Sequence, residues 1–405
     1  MISTFEILPT FGTSKKPSVH QLVTNHLTMT LGILKETDGE QRVAVTPDSV
    51  AALFKLGIEK IIVEKDAGAT AFFNDASYEA QGAAIADHSA VLKQAQILVK
   101  INPLSAGSLG QLASGQIIIG QMNPLSQREV VDALLKAKVT AFSLDMAPRT
   151  TRAQALDVLS SMATVAGYKA VLSAATHLPT FFPMFMTAAG TIKPAKVLIL
   201  GAGVAGLQAI ATAKRLGAVV EAFDVRAAAK EEVMSLGAKF VEVAGATDDK
   251  AAGGYAVEQS DEFKQRQAQL IHDHAVAADV VICTAQIPGR KAPLLLRKET
   301  VEAMKNGAVV VDLAASSGGN CALTEDGKTI RSSNGVCIIG DSNLAGTAPK
   351  DASVMFGKNV VNFMKLIFEK GNLNLNFEDD IVAGTCIAHD GAVVSERMKS
   401  VMAAQ

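Results

Sequence analysis

Residues 196–206 read Lys196-Val197-Leu198-Ile199-Leu200-Gly201-Ala202-Gly203-Val204-Ala205-Gly206. A run of apolar residues enters a Gly-x-Gly-x-x-Gly turn. A helical pattern over 206–216 follows, and a second apolar run, 219–224, ends on Asp224. Strand, glycine turn, helix and acid-ended strand together make a dinucleotide-binding fingerprint, whereas the glycines alone would be a weak signal. Gly201 permits the tight turn, Gly203 lets the backbone approach a pyrophosphate, and Gly206 lets helix and strand pack closely. The helix start, at Val204, supplies free N–H groups and a positive dipole end. Asp224 falls about 20 residues after the first glycine, where a carboxylate accepts hydrogen bonds from ribose hydroxyls and repels a 2′-phosphate. That favours NAD(H) over NADP(H). Arg226 works against the inference, since an arginine there can pair with a phosphate.

Around this core the chain alternates strand and helix patterns. Before it, apolar runs at 30–34, 58–65, 97–101, 116–120 and 140–145 are separated by helical segments such as 47–56, which opens with Pro47 and Asp48. After it, further runs lie at 238–243, 279–284, 308–313 and 336–340. A helical pattern over 154–175 is long enough to bridge two units, and the tail carries a helix at 355–368 and an extended piece near 381–387. This alternation predicts an α/β fold: two Rossmann-like, doubly wound parallel-sheet domains joined by long helices. The expected division is 29–155 plus 352–405 for the first domain and 156–351 for the dinucleotide-binding one. Residues 1–28 lack periodicity and a signal-peptide core and read as an extension or arm, with Met29 the expected true start.

Composition narrows the function. At 405 residues the chain has room for two or three domains at roughly 150 residues each. Net charge is −2 and there is no Trp and only three Tyr, so neither a basic field nor stacking platforms for nucleic acid are evident. Mean hydropathy is +0.25, which raises a membrane question. No charge-free apolar run reaches the ~18 residues of a spanning helix; 176–192 is interrupted by Pro179 and Pro183. The chain is not expected to cross a membrane by itself. The four cysteines, Cys283, Cys321, Cys337 and Cys386, are far apart without metal-ligand spacing. They fit a reducing, cytoplasmic setting and no metal site.

Further strand ends should line the same crevice, bringing in Thr284, Ala285 and Gln286 and, beyond Asp312, Asn320. Residues 244–262 form a long Ala/Gly-rich stretch centred on Gly253-Gly254-Tyr255, which reads as a linker or as a lid. The segment 148–160 gathers Arg149, Gln154, Asp157 and Ser160. Gln154 and Asp157 are three apart and would share a helix face, although the same pattern also suits a capped, salt-bridged helix start.

Several of these stretches resemble the NAD(H)-binding component (domain I, the first segment of the alpha subunit) of proton-translocating nicotinamide nucleotide transhydrogenase. They are 148–169, the 201–224 fingerprint, Ala252-Gly253-Gly254-Tyr255, Thr187-Ala188-Ala189-Gly190-Thr191 and 312–321, and the resemblance spans 29–395. It implies a two-domain, homodimeric component of the Re/Si-specific enzyme. That component docks on a membrane-spanning subunit with an NADP(H)-binding domain, and so lies in the cytoplasm against the inner membrane. By the same resemblance, Arg149, Gln154 and Asp157, with Ser160 just beyond, lie beside the nicotinamide. Gly201, Gly203, Val204, Gly206, Asp224, Arg226, Thr284, Ala285, Gln286 and Asn320 hold NAD(H), and a mobile loop with Gly254 and Tyr255 closes over it.

Alanine dehydrogenase is the fold relative for comparison. Its pyruvate-binding Arg and Lys have plausible counterparts in Arg42 and Lys100, but Asn123 stands where it has a catalytic His and Ser316 where it has an Asp. Neither exchanges a proton near neutral pH as His does. Reduction of an imine needs a proton donor; hydride exchange between nicotinamides needs none. The expected reaction is NAD+ + NADPH = NADH + NADP+. An alanine dehydrogenase-like amino-acid dehydrogenase and a non-catalytic NAD-sensing module remain the alternatives.

Overall fold

The computed structural model of the chain describes residues 29–243, 260–287, 289–369 and 371–403. Strand formation follows from runs such as Ile117–Gly120 and Val309–Asp312, whose residues are all buried. Such continuously apolar runs suit parallel strands covered on both faces. Two seven-stranded sheets result.

In the first sheet the order is Cys386–Ala388, Thr140–Ser143, Ile117–Gly120, Ile97–Val99, Thr30–Ile33, Lys60–Glu64, Ala84–Ala86. All neighbours are parallel except the first pair, where Cys386 faces Phe142 in antiparallel register. The second sheet runs Lys239–Val241, Val219–Phe223, Lys196–Leu200, Val280–Cys283, Val309–Asp312, Cys337–Ile339, Thr329–Arg331. Only the last pair is antiparallel. Lys196–Leu200 is flanked by Val219–Phe223 and Val280–Cys283. The chain therefore leaves this strand in opposite directions and opens a crevice at its carboxyl end.

Two long helices run between the units, Val158–His177 and Pro349–Ile367. By length and composition Val158–His177 could cross a membrane. Here it is a core helix: a Cβ built on Gly167 would lie 2.1 Å from the Ala205 carbonyl oxygen, so only glycine lets it meet the fingerprint helix Val204–Arg215 so closely. Phe356 and Phe363 of Pro349–Ile367 are fully buried in the core of the first unit, and Phe363 packs on Phe142 at 5.1 Å between ring centroids.

Two sequence expectations change. The segment expected to be helical from 154 is a 3-10 turn, Thr151–Leu156, and the α-helix starts only after Asp157. Asp157 accepts a hydrogen bond from the Ser160 N–H at 2.9 Å and so caps the helix, which sets its start. The tail stretch expected to be extended near 381–387 is a helix, Asp380–Thr385, capped by Asp379, followed by the strand Cys386–Ala388. The proline-interrupted stretch 176–192 ends in a β-hairpin, Phe185–Thr187 with Gly190–Ile192, whose six strand residues are all exposed.

Candidate functional site

The carboxyl ends of both sheets face one cleft of about 980 Å³. Asn123 and Asp145 follow strands of the first sheet, and Gly203, Thr284 and Ser316 follow strands of the second. Asn343 reaches across to Glu40 at 3.4 Å, joining the two walls.

Gly201 adopts φ +104°, a left-handed turn that leads the chain from strand to helix. A Cβ on Gly206 would lie 1.9 Å from the Gly201 carbonyl oxygen, so the helix is drawn against its own strand. Nothing lies within 4 Å of a Cβ built on Gly203, which caps Val204–Arg215 without any side-chain bond. The helix therefore opens with uncapped N–H groups beside open space, a fit for the diphosphate of a dinucleotide. Thr284 closes the turn by donating its hydroxyl to the Gly201 carbonyl at 2.8 Å.

Asp224 stands at the end of the neighbouring strand, almost fully buried at its side chain. Its Oδ2 accepts the Ala202 N–H at 2.7 Å. Arg226 grips both carboxylate oxygens, from Nε at 2.9 Å and from a terminal nitrogen at 2.8 Å. The guanidinium that could have met a phosphate is thus held by the acid that would repel one. Asn320 is fully buried, and its amide donates to the carbonyls of Ala285 and Pro293, both at 2.8 Å. Its Oδ1 accepts the Ala285 N–H at 3.1 Å, so Asn320 braces the loop carrying Ala285 and Gln286. Gln286 is exposed and donates to Ser317 at 2.5 Å.

Arg149 and Asp157 line a second cavity of about 560 Å³, between their loop and the C-terminal segment. Gln154 is exposed on the 3-10 turn and Ser160 donates its hydroxyl to Asp157 at 2.5 Å. The expected single helix face carrying Gln154 and Asp157 is therefore absent, because Asp157 ends one element and caps the next. Arg152 pins this loop to the tail through Asp379, at 2.5 and 2.9 Å, and through Asp380. Gly254 and Tyr255 lie outside the described residues.

Further charged side chains line or brace the two cavities. Asp145 lines both cavities. Burial pushes its carboxyl above the usual range, against hydrogen bonds from the Ser143 hydroxyl and from the backbone at Met122 and Asn123. It follows a strand of the first sheet, so the strand-end rule applied to that sheet would have found it. Arg290 and Lys291 line the cleft from the loop beyond Val280–Cys283. Arg42 is ion-paired with Glu40 at 2.6 Å and Lys100 with Glu36 at 2.8 Å, all four buried. Burial alone would raise the Glu40 carboxyl, but the hydrogen bonds and charge of Arg42 outweigh it and hold it at about 2. Among the described residues no cluster of three His, Cys, Asp or Glu side chains could hold a metal.

Two family profiles match this architecture: alanine dehydrogenase/PNT, N-terminal domain, over residues 32–166, and alanine dehydrogenase/PNT, C-terminal domain, over residues 170–396. The chain belongs to the alanine dehydrogenase/PNT family. Within it, the chain is 45% identical over 381 residues to the first segment of the NAD(P) transhydrogenase alpha subunit of Rhodospirillum rubrum, covering 90% of this chain and 98% of that protein. The crystal structure of transhydrogenase from Sinorhizobium meliloti is 44% identical and superposes with a TM-score of 0.83 over 90% of this chain and 100% of that one. A structure of L-alanine dehydrogenase, 23% identical, superposes with a TM-score of 0.77 over 93% of this chain and 99% of that one, and shares the fold.

Proposed function

We infer that this chain is the NAD(H)-binding component of a proton-translocating transhydrogenase. When bound, NAD+ accepts a hydride directly from NADPH carried by a partner domain, and separate membrane domains couple that exchange to proton movement. The observation that carries this reading is the uncapped helix start at Gly203 within a cleft shared by both sheets. The similarity to transhydrogenase alpha chains supports this reaction over others that a nicotinamide site could carry.

The chain's own residues would mainly bind and orient. The helix start at Gly203 and Val204 holds the diphosphate, and Asp224 takes the adenosine ribose. The loop of Arg149, Gln154 and Asp157, with Ser160, sets the plane of the nicotinamide. Bringing two rings to near-attack geometry supplies most of such a rate. Asn123 and Ser316 in the cleft offer no proton near neutral pH. One observation favours the amino-acid dehydrogenase alternative: the raised carboxyl of Asp145 also lines the cleft. Against it, that carboxyl is already engaged by Ser143 and the strand-end backbone.

A homodimer is part of this reading. The hairpin over 185–192 buries no face of its own, and Met184, Phe185, Met186 and Ile192 are exposed. An isolated hairpin is marginal in water, and a second copy would cover this one.

The test is hydride transfer from NADPH to an oxidised NAD analogue, with this chain and a separately made NADP(H)-binding domain. A rate in the mixture and none with either alone is the expected result. Tight NADH binding without any rate in the mixture would overturn the reading, as would turnover of pyruvate and ammonium by this chain alone.

A further inference from the structure

The loop beyond Val280–Cys283 carries two adjacent cations, Arg290 and Lys291, into the cleft. Its base is fixed. Arg290 N–H donates to the Ile287 carbonyl at 3.1 Å, and Ala292 N–H to the Ser317 carbonyl at 2.8 Å. Gly289, at φ +77°, presses on the opposite wall, where a Cβ would lie 2.9 Å from Cβ of Leu125. The Lys291 stem runs along Gly318, with Cγ and Cε 3.2 Å from a Cβ placed there. Among the described residues neither side chain makes a hydrogen bond or ion pair.

The remaining charges of the cleft are accounted for differently. Arg42 is spent on Glu40, Asp145 is held by Ser143, and Asp38 accepts the Thr37 hydroxyl at 2.9 Å. Among the described residues, Arg290 and Lys291 are therefore the cleft cations that can meet an incoming anion.

Their place in the sheet says which anion. Asp224 follows the strand on one side of Lys196–Leu200, and Arg290 and Lys291 follow the strand on the other. A dinucleotide lying across the switch point with its adenosine at Asp224 has its diphosphate at Gly203. Its nicotinamide half then extends toward the side of Arg290 and Lys291, beyond its own phosphates. A second nicotinamide brought against the first carries its diphosphate only one ribose away, into the same mouth.

We propose that Arg290 and Lys291 hold the phosphates of the second dinucleotide, the one the partner domain presents. This rests on the transhydrogenase reading. Arg290 supplies a planar fork for phosphate oxygens and Lys291 a point charge. They orient the incoming dinucleotide and leave the resident one untouched.

The experiment compares wild type with Arg290→Gln/Lys291→Gln in three measurements. They are the NADH dissociation constant of the chain alone, binding of the NADPH-loaded partner domain by calorimetry, and the transfer rate against partner concentration at several salt concentrations. The proposal expects NADH affinity within about twofold of wild type. It expects partner binding weakened by about tenfold or more and a flatter salt dependence. The wild-type rate tests the transhydrogenase reading; the variant-to-wild-type ratio in calorimetry tests the cations whether or not transfer occurs. A loss of NADH affinity equal to the loss of partner binding would assign the cations to the resident dinucleotide and overturn the proposal. Unchanged partner binding, or a wild type that does not bind the loaded domain, would overturn it too.

Discussion

Arg226 and Asp224, two residues apart, form a two-pronged ion pair at the end of the strand beside the fingerprint, with Nε to Oδ1 at 2.9 Å and a terminal nitrogen to Oδ2 at 2.8 Å. In the proposed NAD(H) site this pair would sort adenosine ends with and without a 2′-phosphate. While Asp224 is present, its carboxylate holds the Arg226 guanidinium at both oxygens. Asp224→Ala removes the acid that grips the guanidinium and would repel a 2′-phosphate. We expect the preference for NADH over NADPH to fall by about tenfold, ~1.4 kcal/mol, with Arg226→Ala keeping the preference. An unchanged ratio of dissociation constants in Asp224→Ala would remove the discriminating role.

Gly167 meets the Ala205 carbonyl where no side chain fits. The obstacle is backbone of the fingerprint helix and cannot swing aside. Gly167→Ala should destabilise the fold by about 1–3 kcal/mol, seen as a lower urea midpoint and melting temperature, and should weaken NADH binding because the displaced helix carries Gly203. Full stability in the variant would show that the two helices can separate without cost.

Gln154 is exposed and takes no part in the core. Gln154→Asn should leave the melting temperature and the NADH dissociation constant nearly unchanged. Hydride transfer in the presence of the partner domain should slow roughly 10- to 100-fold. Stopped-flow measurement of a wild-type rate would return the residue to the solvent-exposed surface.

The Glu40 carboxyl sits at about 2 in the fold against an ordinary value of 4.5. Because the folded value is the lower one, the pair's contribution is complete above about pH 4.5 and is lost as pH falls toward 2. Glu40→Gln leaves Arg42 buried without its partner, at a cost of about 3–5 kcal/mol near neutrality. Urea unfolding at pH 7, 5 and 3.5 should show the gap between wild type and Glu40→Gln narrowing only at the lowest pH. A constant gap would assign the cost to packing.

Met186 is 75% exposed and Phe185 42% exposed on the hairpin. The proposed homodimer expects a dimeric wild type by sedimentation equilibrium and a monomer on introducing charge with Phe185→Asp/Met186→Asp, with circular dichroism unchanged; a monomeric wild type would overturn it. A dimer that persists would move the interface elsewhere.

Much of the fold is legible in the sequence because parallel strands buried on both faces must be apolar throughout. Lys196–Leu200, Val280–Cys283 and Val309–Asp312 sit almost where their runs predict. Short edge strands carry no such signature, and Ala84–Ala86 and Thr329–Arg331 have none. The start of Val158–His177 departs from the pattern because a local carboxylate, Asp157, outweighs a continuous helical period. The glycine turn is readable since its demands are local: a left-handed φ at Gly201 and a missing Cβ at Gly206.

The sequence by itself determined two α/β units, a dinucleotide turn and an acid-ended second strand, because each depends on residues a few positions apart. Only the tertiary structure decided what faces what. Ser353 accepts the Val43 N–H at 2.9 Å and Asn343 reaches Glu40, contacts that close over some three hundred residues. Arg290 and Lys291 likewise enter a cleft whose other wall comes from the first sheet. Periodicity encodes which face of an element is buried; it carries no record of the distant element that buries it, which packing of the whole chain selects.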